Sequence, residues 1–201
     1  MNVLIVDSTR EILLTALICG GKNYVRKSLQ ANAKHMSLLF IKIDELLKEA
    51  GIDVGDVDCF AGVVGPGSYT GIRIGVCALN AMARANEKKL VALNSLEILA
   101  YRNRALGEYT CLIDNAHDYY AMESKANEAR YFIAEKSAVA SLKNAVIRDE
   151  NEYYIDEIIE LTKIKIDKGE FSNILLPFYM KKSQAGQLFS NGFTDKPDAI
   201  L

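Results

Sequence analysis

The sequence predicts an α/β fold in two lobes, residues 1–106 and 107–201, with a mostly parallel sheet in the first. Three observations predict it. Val3-Leu4-Ile5-Val6 and Cys59-Phe60-Ala61-Gly62-Val63-Val64 are continuous apolar runs, the pattern of strands buried on both faces. Between such runs apolar residues recur at helical spacing, and strands that alternate with helices build parallel sheets. The third observation is a repeat. Each half opens with an apolar strand ending in Asp, then a loop, a strand, a turn and a strand ending in Lys-Ser. The two aspartates, Asp7 and Asp114, are 107 residues apart.

Residues 12–19 form a second apolar run, and Gly20-Gly21-Lys22-Asn23 turns the chain into a third strand at 24–28, so these two make a hairpin. From Lys34 the period changes. Met36, Leu39, Phe40, Ile43, Leu46, Leu47 and Ala50 recur at helical spacing, Asn32 is the expected N-cap, and Gly51 ends the helix. The strand at 59–64 leads through Gly65-Pro66-Gly67-Ser68-Tyr69-Thr70-Gly71 into a helix running to about Asn86. A strand at 89–93 follows, and Asn94-Ser95-Leu96-Glu97 opens a helix ending near Gly107. The order in the first lobe is βββαβαβα, a parallel sheet with an antiparallel hairpin edge. In the second lobe, strands are expected at 110–113, 119–122 and 131–134, with a turn at Asn127-Glu128, a helix around 155–162 and a strand near 174–176. A duplicated βββ-plus-helices lobe suggests the two-lobed, actin-like and sugar-kinase architecture of the ribonuclease H-like class, here with a shortened second lobe.

Half of the 201 residues are hydrophobic and a quarter charged, with 13 Gly and 3 Pro, an ordinary globular composition. The formal net charge of −2 writes no strongly basic nucleic-acid surface into the totals. The opening apolar run stops at Asp7, too short for a signal peptide or a membrane span, so a cytoplasmic protein is expected. Cys19, Cys59, Cys77 and Cys111 are scattered in apolar contexts without a C-x-x-C pair and read as small core hydrophobes. His35 and His117 lack the spacing of a metal-binding helix, so no metal site is expected.

The glycine loop joins a strand to a helix, a geometry that aims backbone N–H groups at an anion. Gly65 and Gly67 permit close backbone approach, Ser68 or Thr70 can cap the helix, and Arg73 sits in its first turns. A tight, well-capped turn accounts for the same residues. The loop lacks the Lys-Ser/Thr pair of a Walker motif. In the helix behind it, Gly71, Gly75, Ala78 and Ala85 form one small-residue stripe and Ile72, Val76, Leu79 and Ala83 a second, apolar one. Arg73, Cys77, Asn80, Arg84 and Glu87 are left for a wet side. Such a helix is either wholly internal or shared with another chain. Asp7 and Asp114 end strands, where ligands of open α/β sheets bind. Asp7-Ser8-Thr9 partly suits a phosphate loop. Asp114-Asn115-Ala116-His117-Asp118-Tyr119-Tyr120 does not, having no glycine and bulky or acidic groups at the approach. No Ser-His-acid triad is legible.

Gly65-Pro66-Gly67-Ser68-Tyr69-Thr70-Gly71-Ile72-Arg73-Ile74-Gly75 closely resembles the GPGSFTGLRIG signature of the bacterial TsaB (YeaZ) family. Ile5-Val6-Asp7-Ser8-Thr9, His35 with Leu38-Leu39, Asn94-Ser95-Leu96-Glu97 and Pro177-Phe178-Tyr179-Met180-Lys181 also match. The resemblance is strong over residues 1–105 and thin beyond.

It implies a noncatalytic partner subunit in threonylcarbamoylation (t6A) of adenosine 37 in tRNAs that read ANN codons. In that pathway TsaD holds the metal and transfers the group, TsaE joins as an ATPase, and tRNA binds through the complex. The resemblance further implies that the first-lobe helices, at about 35–50 and 70–86, pack on TsaD or form a homodimer in its absence, through His35, Leu39, Ile43, Gly71, Gly75, Ala78 and Met82. Asp7, Ser8, Thr9, Gly65, Gly67, Ser68 and Arg73 are the candidates for an anion or nucleotide contact. No resident cofactor is implied, and ATP or ADP at an interface with TsaD is left open. The chain departs from the family at Asp114-Asn115-Ala116-His117, where an Asp-Ala-Arg-Arg-like stretch is usual. The rival reading is an actin or sugar-kinase type ATPase or phosphotransferase centred on Asp7. A protease, as the family's glycoprotease label suggests, is the weaker third.

Overall fold

The computed structural model describes residues 1–29, 35–125 and 128–181, with side chains for all of these except Leu29, His35 and Met36. The expected N-cap Asn32 lies outside the described residues. Strands β1 (Val3–Asp7), β2 (Ile12–Cys19) and β3 (Lys22–Leu29) form an antiparallel meander. Its second turn is made by Gly20 and Gly21, both at positive φ. Helix α1 (His35–Ala50) leads to β4 (Cys59–Gly65), and α2 (Tyr69–Ala85) leads to β5 (Lys89–Asn94). These two strands extend the sheet in parallel, giving the order β3-β2-β1-β4-β5.

After α3 (Ser95–Asn103), strands β6 (Tyr109–Asn115), β7 (Asp118–Lys125) and β8 (Glu128–Glu135) repeat the meander, and β9 (Ala145–Ile147) pairs parallel with β6. The second sheet has the order β8-β7-β6-β9, and helix α4 (Ile155–Asp167) follows it. The internal repeat is therefore structural. Asp7 pairs opposite Leu14 and Asp114 opposite Tyr119, each beside the first turn of its meander. Where α1 stands in the first half, the second has a 3-10 helix at Lys136–Ser141.

Local chemistry sets the boundaries. Gly51, at φ 69°, ends α1 with Gly51 N–H donating to Lys48 O and Ile52 N–H to Leu47 O. Ser68 Oγ caps α2 by accepting from Gly71 N–H at 3.2 Å, and Asn94 Oδ1 caps α3 by accepting from Leu96 N–H at 2.8 Å. Alternate residues of the central strands face different cores. Val3, Ile5, Ala61 and Val63 join α3, α4 and β6 in one. Leu4, Val6, Phe60 and Val64 join α1 and α2 in the other. Burial on both faces is why these strands read as unbroken apolar runs.

Two expectations need correction. Residues 174–176 are not a strand. Ser172 makes an isolated two-bond bridge with Leu90, and the chain then runs as an extended strap along α2. Asn80 takes both backbone groups of Leu175, its amide donating to Leu175 O at 2.9 Å and its oxygen accepting from Leu175 N–H at 2.8 Å. Leu175 alone is buried, while Ile174 and Leu176 are exposed. A side chain replaces the ladder here, which an apolar triplet does not reveal. Helix α3 also stops at Asn103, and a 3-10 turn at Arg104–Leu106 carries the chain to Gly107.

Candidate functional site

The carboxyl ends of β1 and β4 bring the Asp7 turn against the glycine loop. Asp7 Oδ1 accepts from Thr9 N–H at 2.9 Å and from Thr9 Oγ1 at 2.7 Å, an Asx-type turn that consumes one carboxylate oxygen. Ser8 Oγ donates to Gly71 O at 2.7 Å, and Ser68 N–H donates to Thr9 O at 2.7 Å. The glycines admit this contact. A Cβ on Gly67 would lie 2.5 Å from Thr9 O, and one on Gly65 2.7 Å from Phe178 O in the strap. At Gly71 a Cβ would collide with Ser8 O, and at Gly75 with Ser8 Oγ. Gly65, Gly67 and Gly71 are thus the points where the β1–β2 turn, α2 and the strap meet at backbone distance, and Gly75 admits the Ser8 hydroxyl.

A cleft of about 660 Å³ lies between the two sheets, walled by Thr9, Gly67, Ser68 and Tyr69 on one side and by Asp114 and Asn115 on the other. Its floor is closed by a residue not singled out in the sequence. Arg10 is buried and donates to Glu152 O at 2.8 Å, Asp149 O at 3.2 Å and Glu150 O at 2.5 Å. Its Nε reaches the Glu150 carboxylate at 3.3 Å, and Arg148, also buried, pairs with the same carboxylate. Arg10 thereby plugs the first sheet onto the 149–152 segment, and Asp7, at 6% exposure, sits behind it. An arginine directly after Asp7-Ser8-Thr9 was the available signal. Its carbonyl partners, about 140 residues away, carried none.

The structure does not bring the candidate anion set together. Thr9, Gly67 and Ser68 share the cleft wall. Ser8 and Gly65 are engaged elsewhere. Arg73 turns outward, its Nε donating to Tyr179 Oη at 3.1 Å and its guanidinium lying 4.1 Å from the Tyr69 ring centre. The second strand-end aspartate, Asp114, pairs with Lys136 at 3.0 Å. Among the described residues no group of three His, Cys, Asp or Glu side chains is placed to hold a metal ion.

The partner-interface set also needs correction. Leu39, Ile43 and Ala78 are buried in the chain's own core, and Gly71 and Gly75 close on Ser8. Met82 is half-buried, and the His35 side chain lies outside the described residues. The physical reason is helical geometry. Two stripes one residue apart are adjacent on a helix and merge into a single broad face, turned to the sheet. The outer face of the same two helices carries Phe40 at 52% and Ile41 at 51% exposure, with Arg73, Cys77 and Ala81. Cys77 is therefore exposed rather than core. Burial pushes the thiols of Cys59 and Cys111 up, to about 11 and about 12, and all four cysteines are free. Among the described residues no helix is long and apolar enough to cross a membrane.

Comparison with known proteins fits this geometry. The family model described as TsaD, tRNA N6-adenosine threonylcarbamoyltransferase, matches residues 29–187. The enzyme of that description from Erythrobacter litoralis is 37% identical over 70 residues, covering 35% of this chain and 20% of the relative. The tRNA threonylcarbamoyladenosine biosynthesis protein TsaB of Haemophilus influenzae is 28% identical over 101 residues, covering 50% and 42%. The matched stretch thus spans less than half the length of these relatives. In structure, YeaZ from Pseudomonas aeruginosa superposes with a TM-score of 0.70 at 22% identity, over 89% of this chain and 99% of that one. A protein described as similar to peptidase YEAZ from Pseudomonas aeruginosa gives 0.74 at 21% identity, over 90% and 99%. Both establish the two-sheet α/β fold across nearly the whole of YeaZ. The chain belongs to the TsaD family, is similar in sequence to TsaB of Haemophilus influenzae, and shares the fold of YeaZ.

Proposed function

We propose that this chain is a noncatalytic partner subunit for threonylcarbamoyl transfer to adenosine 37 of tRNAs reading ANN codons, working in the cytoplasm. It binds and supports a TsaD transferase, with TsaE and tRNA joining through the complex, and two copies associate when TsaD is absent. The observation that carries the reading is the closed strand end. Asp7 commits one carboxylate oxygen to its own turn and is sealed behind Arg10, while the signature glycines are filled by Ser8, Thr9 and Phe178 of the same chain. A phosphate or metal at Asp7 would have to displace a guanidinium held by three carbonyls. The outer α1–α2 face, with Phe40 and Ile41, is the surface proposed for TsaD or a second copy. The chain holds no cofactor of its own in this reading. The cleft wall at Thr9, Gly67 and Ser68 is what it presents to an ATP or ADP shared with TsaD.

Calorimetric titration of the isolated chain with Mg-ATP tests this reading against the ATPase alternative. No heat of binding and no turnover are expected. Tight binding, with turnover lost in Asp7→Ala, would instead establish the phosphotransferase.

A further inference from the structure

A second, small cavity lies between the carboxyl end of β1 and the start of α3, lined by Asp7, Arg10, Ser95, Arg148 and Tyr154 together with aliphatic side chains of α3 and α4. Its volume is about 10 Å³ for the centre of a water-sized sphere, the lower limit for holding one water. Ser95 is 5% exposed, and its Oγ is buried without a hydrogen-bond partner among the described residues. The other polar groups around the cavity are only partly used. Asp7 Oδ1 already accepts twice from Thr9, which leaves Oδ2. Arg148 commits Nε and Nη2 to Glu150, which leaves Nη1. Arg10 gives four of its five N–H donors to the 149–152 segment.

The groups left to face the cavity are the Oδ2 acceptor of Asp7, the Nη1 donors of Arg148 and the Ser95 hydroxyl, which can do either. An anion would face the Asp7 carboxylate, and a cation would face two guanidinium groups. A neutral molecule that both donates and accepts satisfies all three groups, and the volume limits it to water.

We propose that the cavity holds a single buried water, bound by Ser95 Oγ, Asp7 and Arg148. It joins the end of β1, the first turn of α3 and the segment after β9 at one point. The strand end where related architectures direct a ligand is, in this chain, a hydrogen-bonded joint between the sheets. The water acts with the Arg10 plug to hold them in one arrangement.

The test is an atomic-resolution crystal structure of the full chain, with magnetic relaxation dispersion of water on the unmodified protein and on Ser95→Val. The expected result is one well-ordered water within hydrogen-bond distance of Ser95 Oγ, and one fewer long-lived internal water in Ser95→Val. A Ser95 hydroxyl bonded instead to a protein carbonyl, or an ion in the cavity, overturns the proposal. So does an unchanged number of internal waters in a folded Ser95→Val protein. Should that variant not fold, the crystal structure of the unmodified chain decides alone.

Discussion

A Cβ on Gly71 would run into the backbone carbonyl oxygen of Ser8, while the Ser8 hydroxyl donates to the Gly71 carbonyl at 2.7 Å. The start of α2 therefore rests on the β1–β2 turn at a distance only glycine allows. One turn later, Gly75 faces the Ser8 hydroxyl rather than its backbone.

These two obstacles differ in kind, and mutation should separate them. Gly71→Ala must move backbone and should cost about 1–3 kcal/mol or more in urea unfolding. Gly75→Ala collides only with an oxygen that Ser8→Ala removes. Ser8→Ala alone should cost about 1 kcal/mol for the lost hydrogen bond. Adding Gly75→Ala to it should then change little, because alanine is the better helix former. The same Ser8→Ala background should leave Gly71→Ala fully destabilised. Equal rescue of both would contradict the backbone contact.

At Leu175 the strap is tied by one side-chain amide. Asn80→Ala removes both partners of Leu175 and should cost about 1–3 kcal/mol. Hydrogen exchange should show the Leu175 amide losing protection while the Leu90–Ser172 bridge keeps its own. Loss of protection throughout β4 and β5 would mean instead that the strap holds the sheet.

Alkali should weaken the fold through its thiols. Burial raises Cys59 and Cys111 from 9.0 to about 11 and about 12, so each stays protonated in the folded chain after it would ionise in the unfolded one. Their contribution is complete below pH 9 and is lost as pH climbs from 9 toward 12. Unfolding midpoints over that range should fall, and less so in Cys111→Ala relative to its own value at neutral pH. With a thiol reagent on the native protein, Cys77 should react first, and Cys59 and Cys111 only on unfolding.

Substitutions on the outer face of α1, the surface proposed for a partner, should separate partner binding from folding. Ile41→Glu changes an exposed residue and should shift stability by no more than about 0.5 kcal/mol while abolishing association with a second copy and with TsaD. Leu39→Ala, two positions earlier but buried, should cost about 2–5 kcal/mol. Light scattering and a melting curve distinguish them. An Ile41→Glu protein that still bound both partners would move the interface elsewhere.

The central strands and helices were legible because burial on both faces writes continuous apolar runs, and amphipathic burial writes a 3.6-residue period. The repeat of Asp7 at Asp114 was legible for the same reason. What escaped depends on contacts far apart in sequence. The three residues of β9 are too few to carry a pattern, and the strap is held by Asn80, 95 residues before Leu175. Nothing near Arg10 in the sequence pointed to the 149–152 carbonyls that close on it. At the site, the glycine spacing correctly marked close approach, but spacing cannot name what approaches. It proved to be Ser8, Thr9 and Phe178 of the same chain.

The central claim is that this chain is required for t6A formation without performing the transfer itself. Removing the protein from its host and quantifying t6A in tRNA digests by mass spectrometry tests that claim most directly. The account predicts that t6A falls on removal and returns when either the unmodified chain or a folded Asp7→Ala variant is restored. Normal t6A after complete loss, or a failure of the folded Asp7→Ala variant to restore it, would contradict the account.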